Sequence, residues 1–160
     1  MSNLALAPQR GEITNEQRDL IKRTIAKGCT DDELQLFIAA CNRYGLDPFA
    51  KQIYAIKRAG QMTIQTSIDG FRAIAERTGS YAPGRATEYV TTDGKLVSAT
   101  AFVKKRTDDG TWHEVGETAY MAEYDGKNSM WQKLPHAMLS KCAESRALRR
   151  AFPANMSGLY

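Results

Sequence analysis

Apolar residues recur every three or four positions in two stretches near the start of the chain. Each stretch begins with a threonine, Thr14 or Thr30, that is followed three residues later by Gln or Glu. This spacing is typical of a capping box, in which two side chains bind the backbone amides at the start of a helix. The pattern predicts one helix over about 15–27 and a second helix that Gly45 and Pro48 end.

The period of the apolar positions changes to two in the next stretch. Alternating side chains over 52–58 and 61–66 predict two strands, and Ala59 with Gly60 between them is typical of a hairpin turn. A short helix is then expected over about 69–77.

Three further strands are predicted in the middle of the chain, over 85–92, 96–104 and 111–121. Asp-Gly pairs separate them and favour tight hairpins. A polar loop is expected over 122–130 and a final helix over about 133–151, with Pro135 in its first turn. The order predicts an α+β fold, in which a small antiparallel β-sheet (a hairpin plus a three-stranded meander) packs with helices, the last of them long and basic.

The composition fits a globular protein. The chain has 160 residues, 42% hydrophobic and 25% charged, which is enough to bury a core. We expect one domain over 12–160 after a flexible tail over 1–11, and the abrupt end at Tyr160 suggests a truncation of a longer protein. No apolar run is long enough to cross a membrane, and three widely spaced cysteines favour reduced thiols in the cytoplasm.

The positive charge is concentrated near the end of the chain. Lys and Arg exceed Asp and Glu by four overall, and the segment 131–152 alone has five basic residues and one acid. Helical geometry places Arg146 and Arg150 in one row, with Lys141 and Arg149 in a second row about a third of a turn or more away. Such a broad basic face suits a phosphate backbone, although a solvated helix is the alternative interpretation.

Trp131 lies just before this basic helix and after the polar loop. An aromatic plane beside basic groups is typical of proteins that bind single-stranded nucleic acid, because every base has a face that can stack. The alternative is a core tryptophan that anchors the loop.

Motifs for catalysis are missing from the sequence. There is no phosphate-binding loop for ATP, and no serine or Cys–His arrangement for acyl transfer. The acids are scattered, whereas a nuclease needs them close together to hold metal ions. We therefore expect that the protein is not an enzyme.

Three segments together resemble a known family. They cover 44–56, 67–74 and 131–160, the last with Trp131, Pro135 and a basic run that ends at Phe152. In this order they resemble the phage recombination proteins of the RecT/Bet family, and within it the Redβ-like branch. The resemblance spans roughly residues 30–160.

The resemblance implies the N-terminal annealing domain of an ATP-independent single-strand annealing protein. Such proteins bind single-stranded DNA and an annealed duplex intermediate as a ring or helical oligomer, in the cytoplasm of the bacterial host. It implies no required cofactor, with Mg²⁺ only as a DNA counterion, and no membrane partner. A missing C-terminal domain would contact the phage exonuclease and the host single-strand-binding protein.

The basic face and the resemblance together predict a DNA-binding surface. Trp131, Lys51 and Arg149 match family positions, whereas Lys141 is shifted by one residue and His136 stands where Redβ has lysine. The predicted DNA-binding residues are Lys51, Trp131, Lys133, His136, Lys141, Arg146, Arg149 and Arg150.

Other functions are also compatible with the sequence. A passive module could coat single-stranded DNA without annealing it, and an adaptor could dock the basic helix on an acidic protein. A nuclease is a more distant alternative.

Overall fold

Two helices and a β-hairpin form the first part of the chain in the computed structural model, which describes residues 12–160. The elements are α1 (Asn15–Arg23), α2 (Asp31–Tyr44), β1 (Ile53–Arg58) and β2 (Gln61–Thr66). With the following residues to Ile74 and the last three residues of the chain, they make one compact unit. The tail predicted over 1–11 lies outside the described residues.

Both predicted capping boxes are confirmed. The Thr14 hydroxyl accepts from the Gln17 amide at 3.2 Å, and the Glu33 carboxylate accepts from the Thr30 amide at 2.9 Å. In α2 the predicted apolar side turns inward, and a left-handed Gly45 with φ of 59° ends the helix. The buried residues of α2 are Leu34, Phe37, Ile38 and Cys41.

The first helix ends four residues before the predicted boundary. The Thr24 hydroxyl donates to the Leu20 carbonyl at 2.6 Å, and the Ala26 amide bonds to the Ile21 carbonyl at 2.8 Å. These bonds replace the regular helical pattern after Arg23, so the segment up to Gly28 forms turns.

The hairpin has the predicted turn. Ile53 pairs with Thr66 and Arg58 with Gln61, which leaves Ala59 and Gly60 between the strands. Both turn residues have positive φ, 50° and 80°, as the type I′ hairpin turn requires. Helix α3 (Ile68–Arg77) follows close to its predicted position.

The second compact unit covers 75–157 and contains a four-stranded antiparallel sheet. Its strands are β3 (Tyr81–Pro83), β4 (Glu88–Thr92), β5 (Lys95–Arg106) and β6 (Trp112–Tyr120). The long β5 pairs with β6 along one edge and with β4 and β3 in succession along the other.

Three details of the predicted meander are wrong. The Asp109–Gly110 hairpin is not tight, because β5 ends at Arg106 and β6 begins only at Trp112. The strand expected from Arg85 begins only at Glu88, and β3 was not predicted. With three residues and Pro83 at its end, β3 is too short to show a period of two. The Asp93–Gly94 turn has positive φ at both residues, as predicted.

The end of the chain contains three helices where a loop and one helix were predicted. They are α4 (Met121–Tyr124), α5 (Ser129–Lys133) and α6 (Pro135–Ala151). Leu134, with φ of −131° and ψ of 56°, separates α5 from α6. Pro135 lacks an amide hydrogen, so the helical bonds of α5 do not continue through it.

Alanines bring α6 close to the sheet. Leu139 and Ala143 of α6 pack in one core cluster with Ala99, Ala101 and Ala119 of the strands. Small side chains on both surfaces allow close packing, and this contact fixes one side of α6. The structure confirms the predicted α+β class. Within 12–160, no helix is both long and apolar enough to span a membrane.

Candidate nucleic-acid interface

The predicted basic side chains near the end of the chain lie on the surface of the second unit. Most of them are exposed, and Arg149 is partly buried and takes part in an interaction. The exposed ones are Lys133 on α5 and His136, Lys141, Arg146 and Arg150 on α6. We call these six residues the basic surface.

Arg146 and Arg150 form the predicted row, and both contact one carboxylate. Glu117 lies 3.3 Å from the guanidinium of Arg146 and 3.5 Å from that of Arg150. Arg146 also donates to the Tyr124 hydroxyl at 3.2 Å, and Arg150 donates to the Gly116 carbonyl at 3.4 Å. The pKa of Arg146 is raised, chiefly by the hydrogen bond to Tyr124 and to a lesser extent by Glu117, while desolvation opposes the shift. The positive charges of Arg146 and Arg150 are therefore partly balanced by the Glu117 carboxylate.

The register of the sheet explains why Glu117 faces α6. Glu117 pairs with Ala101 and Ala119 pairs with Ala99, and these three alanines belong to the core beneath α6. Since side chains two apart on a strand share a face, Glu117 points to the same side as Ala119. Its side chain is 23% exposed, at the border of this core.

An aromatic pair lies at the start of α6. The rings of Tyr89 and His136 meet edge to face, with centroids 4.8 Å apart. A hydrogen bond of 3.0 Å between the hydroxyls of Thr87 and Ser140 joins the same two segments. Both side chains are exposed to solvent.

Trp131 is in the core. It is 9% exposed and packs with Ala99, Ala101 and Leu139. A Cβ added to Gly126 would lie 2.7 Å from the indole nitrogen, so the 125–128 loop runs directly against this ring. Its position agrees with the alternative interpretation, an anchor for the loop, and its contact with DNA stays a prediction.

Asn128 fixes the start of the helix that carries Trp131. Its side-chain oxygen accepts from the amides of Met130 and Trp131 at 3.1 and 3.2 Å. This cap satisfies two amides that would otherwise lack a partner at the end of a short helix.

Lys51 belongs to the first unit, where it is exposed in a turn after Pro48. Its φ of 59° is unusual for a residue with a side chain. The Gln52 amide bonds to the Asp47 carbonyl at 3.0 Å, and the Asp47 side chain accepts from the Phe49 amide at 2.8 Å. These bonds hold the turn that presents Lys51.

Sequence reasoning missed three side chains that contact the basic surface: Tyr89, Glu117 and Tyr124. Each reaches α6 from a segment at least 22 residues away in the chain. Alternation along β6 indicated which side of the strand Glu117 takes, but not which helix covers that side. Within 12–160, no three His, Cys, Asp or Glu side chains are grouped so that they could hold a metal ion.

A surface with several cations on α5 and α6, held against a sheet, is typical of proteins that bind polyanions. Comparison with protein families gives the particular family. The model of the RecT family matches residues 11–160, and the chain belongs to this family of single-strand annealing proteins of phage recombination. No curated protein matches the chain. The family bears out the predicted single-stranded DNA binding and self-association, while the Redβ-like branch stays a prediction.

Proposed function

We propose that this protein anneals complementary DNA strands without ATP, and that a single strand lies along the basic surface. The observation that supports this is the concentration of exposed cations on α5 and α6, in a chain whose family pairs single strands. The buried alanine contact packs α6 against the sheet, so the backbone positions from which these side chains extend are fixed.

The basic surface would act through phosphates. Each cation that contacts a phosphate releases counterions, so binding would be independent of sequence and would weaken with salt by about 0.7 in log–log slope per contact. Contacts to the backbone leave the base edges turned outward, where a second strand can test them for complementarity.

Tyr89 and His136 are the side chains best placed to stack on bases. Both rings are exposed beside the first turn of α6, whereas Trp131 is 9% exposed. Stacking on such rings contributes about 1–3 kcal/mol per base. Trp131 would serve the surface indirectly, by holding α5 and the preceding loop in place.

Base pairing would drive the reaction. Each base-pair step contributes on the order of 1.4 kcal/mol, so the protein needs to align strands and neutralise their charge rather than consume ATP. Repetition of the surface in a ring or helical filament would hold a strand long enough for pairing. Mg²⁺ would act only as a DNA counterion, and no other cofactor would be required.

The proposed activity also implies where the protein works and which proteins it meets. It would work in the cytoplasm of a bacterial host during phage recombination, after an exonuclease has exposed single strands. That exonuclease and the host single-strand-binding protein would be its protein partners. Lys51, in the exposed turn of the first unit, would supply a separate phosphate contact.

The proposal is tested by annealing of two complementary oligonucleotides, one with a fluorophore and one with a quencher, without ATP. Lys141→Ala removes one exposed cation of the basic surface. We expect it to slow annealing and to reduce the salt slope of single-strand binding by about 0.7. Lys95→Ala is the matched control, because Lys95 is an exposed lysine of the same unit at the β4–β5 hairpin.

Two outcomes would contradict the proposal. If the wild type binds single strands tightly but anneals them no faster than buffer, the protein coats DNA passively. If Lys141→Ala and Lys95→Ala have equal effects, only the net charge matters and the basic surface is not the binding site.

A further inference from the structure

One carboxylate, that of Glu117, contacts two arginines of the basic surface. The carboxylate lies 3.3 Å from Arg146 and 3.5 Å from Arg150, one helical turn apart. A carboxylate and a phosphate offer similar paired oxygens to a guanidinium. A DNA backbone that contacts these two arginines must therefore compete with Glu117.

The contacts of Glu117 can be exchanged. The side chains of Arg146 and Arg150 are 43% and 66% exposed, so water screens both ion pairs. Ion pairs this exposed stabilise a fold little. Each arginine also has a second partner, Tyr124 or the Gly116 carbonyl, that would keep it in place if the carboxylate withdrew.

We propose that Glu117 is an internal competitor for the DNA backbone. Its carboxylate binds Arg146 and Arg150 in the free protein and gives way to a phosphate when a single strand binds. The inference rests on the proposed function of the basic surface. The competition weakens each subunit's contact with DNA and keeps that contact reversible, which allows two strands to change register until their bases match.

Single-strand affinity of Glu117→Gln tests the inference. The amide keeps the shape of the side chain and removes its charge, so we expect about three- to tenfold tighter binding to a non-complementary oligonucleotide at low salt. The gain should shrink between about 0.05 M and about 0.5 M salt, because salt screens the ion pairs. Glu117→Asp, whose carboxylate is withdrawn by one methylene, should give an intermediate affinity.

Glu123→Gln is the matched control for net charge. Glu123 is an exposed acid of the same unit, on α4, and its neutralisation should change affinity less than twofold. If Glu117 acts through the two arginines, the gain from Glu117→Gln should disappear in the Arg146→Ala, Arg150→Ala background. A side chain that only supported the fold would not show this coupling.

The outcomes separate this inference from the proposed function. If Glu117→Gln binds single strands no more tightly than Glu123→Gln, the competitor role is overturned. If Arg146→Ala and Arg150→Ala nevertheless weaken binding, the basic surface remains the proposed DNA-binding site. If the arginine variants bind like the wild type, the basic surface itself is refuted, and the inference with it. Thermal melting of each variant shows whether it is folded in the binding assay.

Discussion

At the scale of single residues, the two tryptophans of the chain illustrate how position decides a role. Trp131 is 9% exposed in the core of the second unit, whereas Trp112 on β6 is 47% exposed, with the Arg106 guanidinium 5.8 Å from its ring centroid. Their sequence surroundings are both polar, so composition alone does not distinguish them. Burial makes Trp131 a stabilising residue of the fold.

Trp131→Ala should destabilise the protein by about 3 kcal/mol, because it removes a large buried side chain and leaves a cavity beneath α5 and the 125–128 loop. Urea unfolding followed by far-UV circular dichroism measures the loss. Trp112→Ala is the matched control, with an expected loss below about 1 kcal/mol. Equal losses in the two variants would contradict the placement of Trp131 in the core.

At the scale of elements, Glu33 joins α2 to the hairpin. One oxygen accepts from the Lys57 ammonium of β1 at 2.8 Å, and the other accepts from the Met62 amide of β2 at 3.0 Å. The same carboxylate completes the capping box with Thr30. Chiefly because of the hydrogen bond from Lys57, the pKa of Glu33 is lowered to about 2.

This shift predicts a pH dependence of stability. The folded pKa is below the ordinary value of 4.5, so the stabilisation is present above about pH 4.5 and is lost as the pH falls through about 2. Lys57→Met removes the hydrogen bond that is the main cause of the lowered Glu33 pKa. We expect its urea midpoint to lie below that of the wild type at neutral pH, and the gap to narrow in acid.

Arg58→Met is the control, since Arg58 is the next residue of β1 and is exposed. Its midpoint should follow that of the wild type at every pH. If the difference in urea midpoint between Lys57→Met and the wild type stays constant with pH, Lys57 does not lower the pKa of Glu33. The Lys57 bond to the Gly28 carbonyl at 3.0 Å would then account for the whole effect.

The elements that sequence predicted are those with local causes. Both capping boxes and the hairpin turn at Ala59 depend on residues within a few positions, and the structure confirms them. The features that the sequence did not predict depend on contacts between distant segments of the chain. Strand β3 exists because β5 is long enough to pair with it, and Glu117 meets α6 across 29 residues of sequence. A pattern of side chains along one segment does not specify such partners.

At the scale of the whole molecule, the chain returns to the first unit at its end. The Thr66 amide donates to the Tyr160 carbonyl at 2.7 Å, and Leu159 is 3% exposed. Residues 75–157 are thus an insertion within the sequence of the first unit. The same last residues belong to the third segment that carries the family resemblance, which gives that segment a structural role.

Leu159→Ala should lower the stability of the first unit by about 2–3 kcal/mol, because it empties a buried site. Hydrogen exchange should show faster exchange for the amides of α2 and β2, with a smaller change in α6. Leu36→Ala, at a leucine of α2 that is 63% exposed, is the control and should change little. An equal loss of protection in both units would show that they unfold together.

The bond between Thr66 and Tyr160 also determines how the chain would respond to tension. A force applied to Glu12 and Tyr160 pulls first on contacts within the first unit, because the last three residues are held there. Residues 75–157 lie between the two ends of the first unit in the sequence. The bond between Thr66 and Tyr160 therefore carries the force past them. Residues 75–157 would therefore keep their fold until the contacts around Leu159 had broken.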